Sequence, residues 1–244
     1  MKELLTEGLT ALGLTAPAGA VDRMCAFADA LLEQNKVMNL TAITEPDDVA
    51  RLHFLDSAAV LAYLEQAGDG SWDRGDGVRL IDVGTGAGFP GVPLKLLAPS
   101  LSLTLLDSLG KRVTWLDETC RGLGLEDVTC LHARAEELSL LPGYRDGFHI
   151  ATSRAVASLP QLCELCLPFV RVGGLFLAMK SVDTKGELMG AKSAISRLGG
   201  RLRETWDYTL PGADVTHRLI AVEKTAPTPK DLPRSWGKIK KNPL

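Results

Sequence analysis

A glycine-rich stretch after an apolar run holds the residues of this sequence that most clearly indicate chemistry. Residues 80–91 read LIDVGTGAGFPG, so that Gly84, Gly86 and Gly88 alternate with other residues. Glycines are entropically unfavourable, and three between a strand and a helix are expected where the backbone must approach a ligand closely. The stretch from Gly86 to Gly91 also matches G-x-G-x-x-G, the dinucleotide fingerprint. It predicts a cofactor-binding loop and leaves the class of cofactor open.

Spacing and charge separate two classes of cofactor. The first strand is expected to end at Val83, so the tight turn starts at Gly84 and Phe89 stands where the third fingerprint glycine belongs. Asp82, near the carboxyl tip of that strand, would repel a pyrophosphate, which prefers backbone amides and a helix N-terminus. The same carboxylate would attract the ammonium and sulfonium of S-adenosylmethionine. We therefore predict S-adenosylmethionine as the cofactor, with a nicotinamide-dependent oxidoreductase as the alternative.

A second aspartate marks a ribose site. Asp107 ends the second predicted apolar run, about 20 residues past the glycines. A carboxylate at this place accepts hydrogen bonds from ribose hydroxyls in both cofactor classes. Asp107 therefore predicts a ribose contact without distinguishing the two cofactors.

Short apolar runs alternate with helix-like segments and must position these residues. Strands are predicted at 78–83, 101–107, 128–132, 148–153 and 175–180, and helices at 92–97, 111–124, 159–170 and 186–198. The runs 201–210 and 217–224 have no helix between them and predict an antiparallel hairpin. This alternation indicates an α/β fold with a doubly wound, mostly parallel seven-stranded sheet. Ligands bind such sheets beyond the carboxyl ends of the strands, where the glycine-rich loop is placed.

Composition divides the chain into four predicted segments. Apolar residues spaced three and four apart predict an N-terminal helical extension over residues 1–66. Residues 67–77, rich in Gly and Asp, predict a flexible connection. The cofactor-binding α/β domain is predicted over 78–224, and a basic, proline-containing tail over 225–244.

The overall composition excludes several classes of protein. The chain has 244 residues, of which 45% are hydrophobic and 23% charged, as in soluble globular proteins. No apolar run approaches the roughly 18 to 20 residues that cross a bilayer. The first residues carry Glu3 and Glu7 without a continuous apolar segment, unlike a signal peptide. We therefore expect a cytoplasmic protein with no membrane partner.

Charge is unevenly distributed. The net charge of −3 does not by itself indicate a nucleic-acid partner. Basic residues nevertheless concentrate in the last 21 positions, where Asp231 is the only acid. Either this run contacts phosphates or it is ordinary solvated surface.

The cysteine pattern indicates core packing. Cys163 and Cys166 have C-x-x-C spacing, but they lie in the apolar segment LPQLCELCLPFV. A zinc site would need two further ligands with matching spacing. His132 and His149 are the nearest candidates and have no such pattern. We predict buried thiols and no metal site.

Several motifs, taken in order, resemble one known family. They are NLTAI (39–43), HFLDS (53–57), IDVGTGAGFPG (81–91), LLDSLGKRVTWL (105–116), SRAVASL (153–159) and the terminal KKNPL. Together they resemble the bacterial glucose-inhibited division protein B family over residues 35–180 and again at the tail. Members of that family are S-adenosylmethionine-dependent methyltransferases that modify N7 of one guanine in 16S ribosomal RNA. The resemblance implies 16S ribosomal RNA as the partner, in the small subunit or its precursor, and a monomeric enzyme.

The resemblance also implies cofactor contacts from Gly84, Phe89, Arg154 and the pair Ala135–Glu136, which lines the adenine in the family. With the physical argument above, the predicted cofactor-binding residues are Asp82, Gly84, Gly86, Gly88, Phe89, Asp107, Ala135, Glu136 and Arg154. Arg154 lies just past the end of the fourth predicted strand and Lys180 ends the fifth, and these two are the predicted catalytic residues. The predicted RNA contacts are Lys180, Arg234, Lys238, Lys240 and Lys241.

The implied reaction needs little acid–base chemistry. Guanine N7 has an in-plane lone pair and no proton to lose, so direct in-line displacement needs no general base. Alignment of the reacting atoms then supplies much of the rate increase. His53 and Asp56 are therefore expected to be structural more than catalytic. A non-catalytic RNA-binding or assembly factor on the same fold is the second alternative.

Two departures from the family pattern stand out. The basic residue that usually precedes the His of HFLDS is Leu52 here, with Arg51 one place earlier. In the tail, Trp236 and Ile239 replace usual prolines. We expect the basic contact and the shape of the tail to differ from the family pattern.

Overall fold

The strands alternate along the chain with the helices that cover them. The computed structural model describes residues 1–67, 77–154, 157–183 and 185–244. The strands are β1 (Arg79–Val83), β2 (Ser102–Asp107), β3 (Val128–His132), β4 (Phe148–Arg154), β5 (Val170–Ser181), β6 (Gly200–Thr209) and β7 (Thr216–Lys224). The longer helices are α1 (Lys2–Ala11), α2 (Ala20–Met38), α4 (Asp56–Ala67), α6 (Gly110–Gly122), α8 (Leu159–Cys166) and α9 (Lys185–Arg197).

Shorter helical pieces fill the connections. They are α3 (Pro46–Val49), a π-helical turn (Ala50–Leu55), α5 (Gly91–Leu97), α7 (Ala135–Leu138), a 3-10 turn (Leu167–Phe169) and α10 (Trp236–Lys241). Within the described ranges, none of the helices combines the length and apolarity that a membrane span requires. Of the predicted connection 67–77, residues 68–76 lie outside the described part of the chain.

The sheet order places the glycine-rich loop at the centre. The order is β3-β2-β1-β4-β5-β7-β6. β1 pairs in parallel with β2 on one side and with β4 on the other, and β3 and β5 extend the two sides in parallel. The strand order therefore reverses between β1 and β4, and the loop after β1 starts at this switch point, where sheets of this class bind ligands.

The last two strands form the predicted antiparallel hairpin. β7 lies between β5 and β6 and is antiparallel to both. Its pairing with β5 runs from Leu175–Glu223 to Ser181–His217, so the start of β7 lies beside the carboxyl end of β5. The prediction of a mostly parallel seven-stranded α/β sheet with an antiparallel C-terminal hairpin is confirmed.

The boundary between α8 and β5 differs from the prediction. The sequence indicated one helix over 159–170, but α8 ends at Cys166 and β5 begins at Val170. Pro168 lacks the amide hydrogen that a longer helix would need. A Cβ atom at Gly174 would lie 2.5 Å from the carbonyl oxygen of His149, so only glycine allows this close approach to β4. An apolar run interrupted by proline and glycine thus continues as a strand.

Both faces of the sheet are covered. On one face, Leu5, Phe27 and Phe54 of the N-terminal helices share a single apolar core with Leu80 of β1 and Leu103 of β2. On the other face, α8 and α9 pack with the C-terminal residues Leu232 and Ile239 in a second core. The predicted extension and tail are therefore integral layers of the fold.

The C-terminal segment, residues 225–244, is held by polar contacts as well as by apolar packing. The Arg145 guanidinium donates hydrogen bonds to the carbonyl oxygens of Thr228, Pro229 and Leu232 at 2.8 to 3.0 Å. The guanidinium of Arg234 donates to both carboxylate oxygens of Glu164 at 2.8 and 2.7 Å. Glu164 is fully buried on α8.

Replacing Arg234 by alanine should lower the free energy of unfolding by about 3 kcal/mol, because it leaves a buried carboxylate without its partner. Urea denaturation of the variant and the wild type measures this difference. Lys230→Ala removes an exposed cation from the same segment and is the matched control. Equal stabilities of the two variants would contradict a structural role for the Arg234–Glu164 pair.

Candidate active site

Three adjoining cavities lie along the carboxyl edge of the sheet. The first, of about 390 Å³, lies over the glycine-rich loop and is called the loop cavity. The small cavity, of about 120 Å³, reaches towards α7 and shares Gly84 and Asp107 with the loop cavity. The large cavity, of about 530 Å³, reaches towards β5 and shares His53 and Arg154 with it. Shared walls make the three a continuous row.

The loop itself needs glycine for its path. Gly84 and Gly86 line the loop cavity. Gly88 instead lies against the core with a φ of +94°, and a Cβ atom there would lie 2.8 Å from Cδ2 of Leu116 and 3.0 Å from Cζ of Phe27. Because L side chains rarely adopt this φ and no space is free, only glycine fits.

Asp82 lies beneath the loop rather than in a cavity. Its side chain is fully buried. One carboxylate oxygen accepts hydrogen bonds from the Thr85 hydroxyl at 2.7 Å and the Gly91 amide at 2.9 Å. Burial raises the pKa of Asp82 to about 6, although these hydrogen bonds favour the ionised form. The sequence predicts a direct contact between Asp82 and a cationic cofactor. In the structure Asp82 does not line the three cavities and instead binds both ends of the loop, through Thr85 and Gly91.

Asp107 faces the cavities as expected. It lines both the loop cavity and the small cavity. One of its carboxylate oxygens accepts from the Gly86 amide at 2.9 Å and the other from the Leu109 amide at 2.8 Å. The carboxylate thus fixes the loop and the entry to α6, and its remaining acceptor capacity faces the cavities.

Arg154 forms the wall between the loop cavity and the large cavity. Its guanidinium donates to the carbonyl oxygen of Leu52 and to Asp56, both at 3.0 Å, and to Nδ1 of His53 at 3.1 Å. It also lies 5.2 Å from the ring centroid of Phe89, which stacks on His53 with centroids 4.6 Å apart. Of these residues, the sequence predicted Arg154 and Phe89 as site residues. In the structure His53 contacts both, because it accepts a hydrogen bond from Arg154 and stacks on Phe89.

The hydrogen bonds of His53 define its protonation state. Arginine can only donate, so Nδ1 of His53 is an acceptor and Nε2 carries the proton. Nε2 lies 2.8 Å from the Thr41 hydroxyl and donates a hydrogen bond to its oxygen. Burial and the positive charge of Arg154 lower the pKa of His53 to about 4. His53 is therefore a neutral, fully engaged side chain.

Asp56 collects three donors beside the large cavity. Its carboxylate accepts from Arg154 at 3.0 Å, from the Tyr208 hydroxyl at 2.7 Å and from Nδ1 of His217 at 2.7 Å. Burial would raise the pKa of Asp56, but the hydrogen bond from His217 and the charge of Arg154 keep it below its usual value. The same bond raises the pKa of His217.

Tyr208 and His217 were missed as site residues, and they come from the C-terminal hairpin. Their signal was available, because a strand that pairs antiparallel to β5 brings its first residues to the carboxyl edge. His217 begins an apolar run and is paired with Ser181 at the end of β5. Glu187 was also missed and lines the large cavity.

Lys180 lies in the large cavity but is already paired. Its ammonium group is 2.8 Å from the Glu187 carboxylate and donates to the carbonyl oxygen of Ala157 at 3.0 Å. Its side chain is 12% exposed. The two predicted catalytic residues, Lys180 and Arg154, therefore both line the large cavity, and each is paired with a carboxylate.

The predicted adenine pair lines the small cavity. Ala135 and Glu136 begin α7, which follows β3, and the buried Glu136 side chain forms part of the wall. Leu106, Leu165 and Trp236 supply apolar surface to the same cavity. Apolar walls with a few polar groups are typical of a site for a flat heterocycle.

The predicted RNA-binding residues of the C-terminal segment separate into two groups. Lys238, Lys240 and Lys241 are exposed on α10, whose buried Ile239 anchors the helix. Arg234 instead uses its guanidinium within the protein, on Glu164. Its place in the basic tail predicted a phosphate contact, and the structure assigns it to tail docking because a buried carboxylate needs a partner.

The two cysteines of the C-x-x-C motif are structural. Cys163 and Cys166 are completely buried on α8, and burial raises the pKa of both thiols. Across the described ranges, no group of three or more His, Cys, Asp or Glu side chains has the arrangement of a metal site.

Known proteins resemble the chain over its whole length. The family described as GidB: rRNA small subunit methyltransferase G matches residues 20–207. The ribosomal RNA small subunit methyltransferase G of Alkaliphilus metalliredigens is 45% identical over 245 residues, covering 100% of this chain and 98% of that protein. The protein of the same name from Acetivibrio thermocellus is 42% identical over 244 residues, with coverages of 100% and 97%.

Solved structures share the fold. The complex of MtNAS with MTA and tNA has a TM-score of 0.55 at 13% identity and covers 84% of this chain and 71% of that chain. A SAM-dependent O-methyltransferase from Thermotoga maritima has a TM-score of 0.50 at 18% identity, with coverages of 82% and 72%. At these identities the similarity concerns the fold alone.

The buried Asp82 should make stability depend on pH. Its pKa is about 6 in the folded protein and about 4 in the unfolded chain, so between these values the folded state binds more protons. This group therefore makes the free energy of unfolding fall as the pH rises from about 4 to about 6. Asp82→Asn keeps an oxygen acceptor for Thr85 and Gly91 and removes the titration.

We expect the stability difference between Asp82→Asn and wild type to move in favour of the variant by about 2 to 3 kcal/mol across that window. Urea denaturation from pH 4 to pH 7.5 measures it, and the titration of His53 cancels because both proteins contain it. A difference that stays constant with pH would contradict a raised pKa at Asp82.

Proposed function

The chain belongs to the GidB family of ribosomal RNA small subunit methyltransferases G, and on that premise we propose that it methylates N7 of one guanine in 16S ribosomal RNA. S-adenosylmethionine is the methyl donor of this proposal. The observation that carries it is the row of three cavities, with loop, ribose and adenine residues on one side of Arg154 and the large cavity on the other.

The residues present fit the donor. The small cavity, with Ala135 and Glu136, suits the adenine, and Asp107 is placed to accept from ribose hydroxyls. Gly84 and Gly86 offer close backbone approach to the rest of the molecule. When bound, S-adenosylmethionine supplies a methyl group on a positively charged sulfur. The buried carboxylate of Asp82 favours a positive charge above the loop without direct contact.

In the proposed reaction the protein aligns the guanine with the methyl group and supplies no general base. Guanine N7 has no proton to remove, so direct attack on the methyl carbon requires only that the base be held in line. His53 at the wall is neutral, and both its ring nitrogens have partners. It therefore keeps Arg154 and Phe89 in place. Arg154, held by Leu52, Asp56 and His53, is a rigid element between donor and acceptor.

The large cavity suits the target base. Ile43, Leu52 and Met179 give it apolar surface. Its charged groups are paired, Asp56 with Arg154 and His217, and Lys180 with Glu187. A base that enters must first leave its stack, either from a loop or by flipping outward. Lys180 and Arg154 are then the donors nearest to the base edge.

RNA affinity is proposed to come from the exposed lysines of α10. Lys238, Lys240 and Lys241 are free of the carboxylate that engages Arg234 and can meet phosphates. Contacts of this kind release counterions and depend steeply on salt. The proposed substrate form is the small subunit or its precursor, acted on by a monomer in the cytoplasm.

Transfer of labelled methyl from S-adenosylmethionine to small subunits that lack the modification tests the function. Borohydride reduction and aniline cleavage then map any N7-methylguanosine. One cleavage in 16S RNA is expected. Labelling without cleavage would contradict the N7 assignment. Absence of labelling in subunits and in naked RNA would contradict the enzyme and favour a non-catalytic RNA-binding factor.

Asp107→Ala should weaken the affinity for S-adenosylmethionine by about 1 to 3 kcal/mol, because ribose hydroxyls lose a charged acceptor. Isothermal titration calorimetry measures the change. Asp117→Ala removes a partly exposed carboxylate from neighbouring α6 and serves as the control. Unchanged affinity of the Asp107 variant would remove its ribose role.

Replacing Lys238, Lys240 and Lys241 by glutamine should weaken the salt dependence of RNA binding. The negative slope of log K against log salt should become less steep by about 2 to 3. Filter binding to 16S RNA between low and physiological salt measures it. A matched triple change at Lys192, Arg197 and Arg201 alters the net charge equally on another surface. If both triple variants change the slope alike, the α10 lysines have no specific role.

A further inference from the structure

The small cavity has a wall that comes from the end of the chain. Trp236, the first residue of α10, lines it together with Ala135, Glu136 and Leu165. Trp236 also lines a neighbouring groove of about 320 Å³ between α7 and the C-terminal segment. Trp236 therefore lies at the boundary between the small cavity and that groove, together with Arg134 and Glu136.

Polar and apolar contacts fix Trp236 in this position. Two residues earlier, the Arg234 amide and guanidinium bind Glu164 at 2.7 to 2.9 Å. Glu164 precedes Leu165, which is itself part of the cavity wall. Three residues after the tryptophan, Ile239 is completely buried. The chain is thus held on both sides of Trp236, and α8 supplies both the anchor Glu164 and the lining residue Leu165.

We propose that Trp236 contacts the adenine of S-adenosylmethionine, so that the C-terminal segment is part of the cofactor site. This inference rests on the proposed function, which places the adenine in the small cavity. A purine has apolar faces and polar edges. Leu106, Leu165 and the indole offer apolar surface to the faces, and Glu136 offers a carboxylate near an edge, while Asp107 stays with the ribose. An aromatic side chain stacks well on such a ring.

The anchor of the C-terminal segment does not include Trp236 itself. Since the Arg234–Glu164 pair holds the segment independently of Trp236, a change at Trp236 should alter the cavity and leave the segment docked.

Calorimetric titration of S-adenosylmethionine and S-adenosylhomocysteine into the full-length protein tests the inference. Trp236→Ala should weaken both affinities about ten- to a hundredfold, as expected for loss of a stacking partner, and Trp236→Phe should retain most of the affinity. Leu140→Ala is the matched control, because Leu140 lines the neighbouring groove and not the small cavity.

Tryptophan fluorescence gives a second readout that does not depend on the alanine variant. S-adenosylhomocysteine should quench the emission of the wild type and of Trp206→Phe, and the quenching should be lost in Trp236→Phe. This comparison decides the question if Trp236→Ala fails to show a cooperative thermal transition.

The outcomes separate this inference from the proposed function. If the wild type binds both ligands and the Trp236 variants bind and quench equally well, the inference is overturned and the proposed function stands. If the wild type binds neither ligand, the proposed function fails and the inference fails with it. Weaker binding in Leu140→Ala to the same extent would also overturn the inference, because the effect would then belong to the groove.

Discussion

Two buried carboxylates on neighbouring strands hold the glycine-rich loop, and the rest of the site depends on that hold. Asp82 on β1 accepts from Thr85 at the start of the loop and from Gly91 at the start of α5. Asp107 on β2 accepts from the Gly86 amide between them. With its two ends and its middle fixed, the loop has one path, and the positive φ values along that path restrict its central positions to glycine. The loop cavity lies over the path that these two carboxylates fix.

A single guanidinium then connects the loop to the N-terminal helices. Arg154, the last residue of β4, donates to Leu52 and His53 in the π-helical turn and to Asp56 at the start of α4. π-helical turns are rare and often occur at functional sites. Here the turn directs one carbonyl oxygen and one imidazole, and the residue after it one carboxylate, at the same arginine. The N-terminal helices are therefore a wall of the site as well as a cover for the sheet, and Arg154 separates the loop cavity from the large cavity, the spaces proposed for donor and acceptor.

Local patterns in the sequence predict the sheet, the loop and the place of Asp107 at the end of β2, because each depends on residues close together in the chain. Alternating apolar runs gave six of the seven strands to within two residues of their observed ends, and β5 was the exception. The sequence could not predict that Asp82 faces the Thr85 hydroxyl and the Gly91 amide, since a strand end carries no sign of which way its carboxylate points. Nor could it predict that Arg234 is structural, because its partner Glu164 lies 70 positions away. Tyr208 and His217 are paired between β6 and β7, and Asp56 meets them only across 152 and 161 positions of the chain.

A crystal structure of the protein with S-adenosylhomocysteine tests the arrangement most directly. The row of cavities predicts the ribose hydroxyls on the Asp107 carboxylate, the adenine in the small cavity and the sulfur turned towards Arg154 and the large cavity. A ligand bound outside the small and loop cavities, or one whose sulfur faces away from the large cavity, would contradict the assignment of donor and acceptor to opposite sides of Arg154.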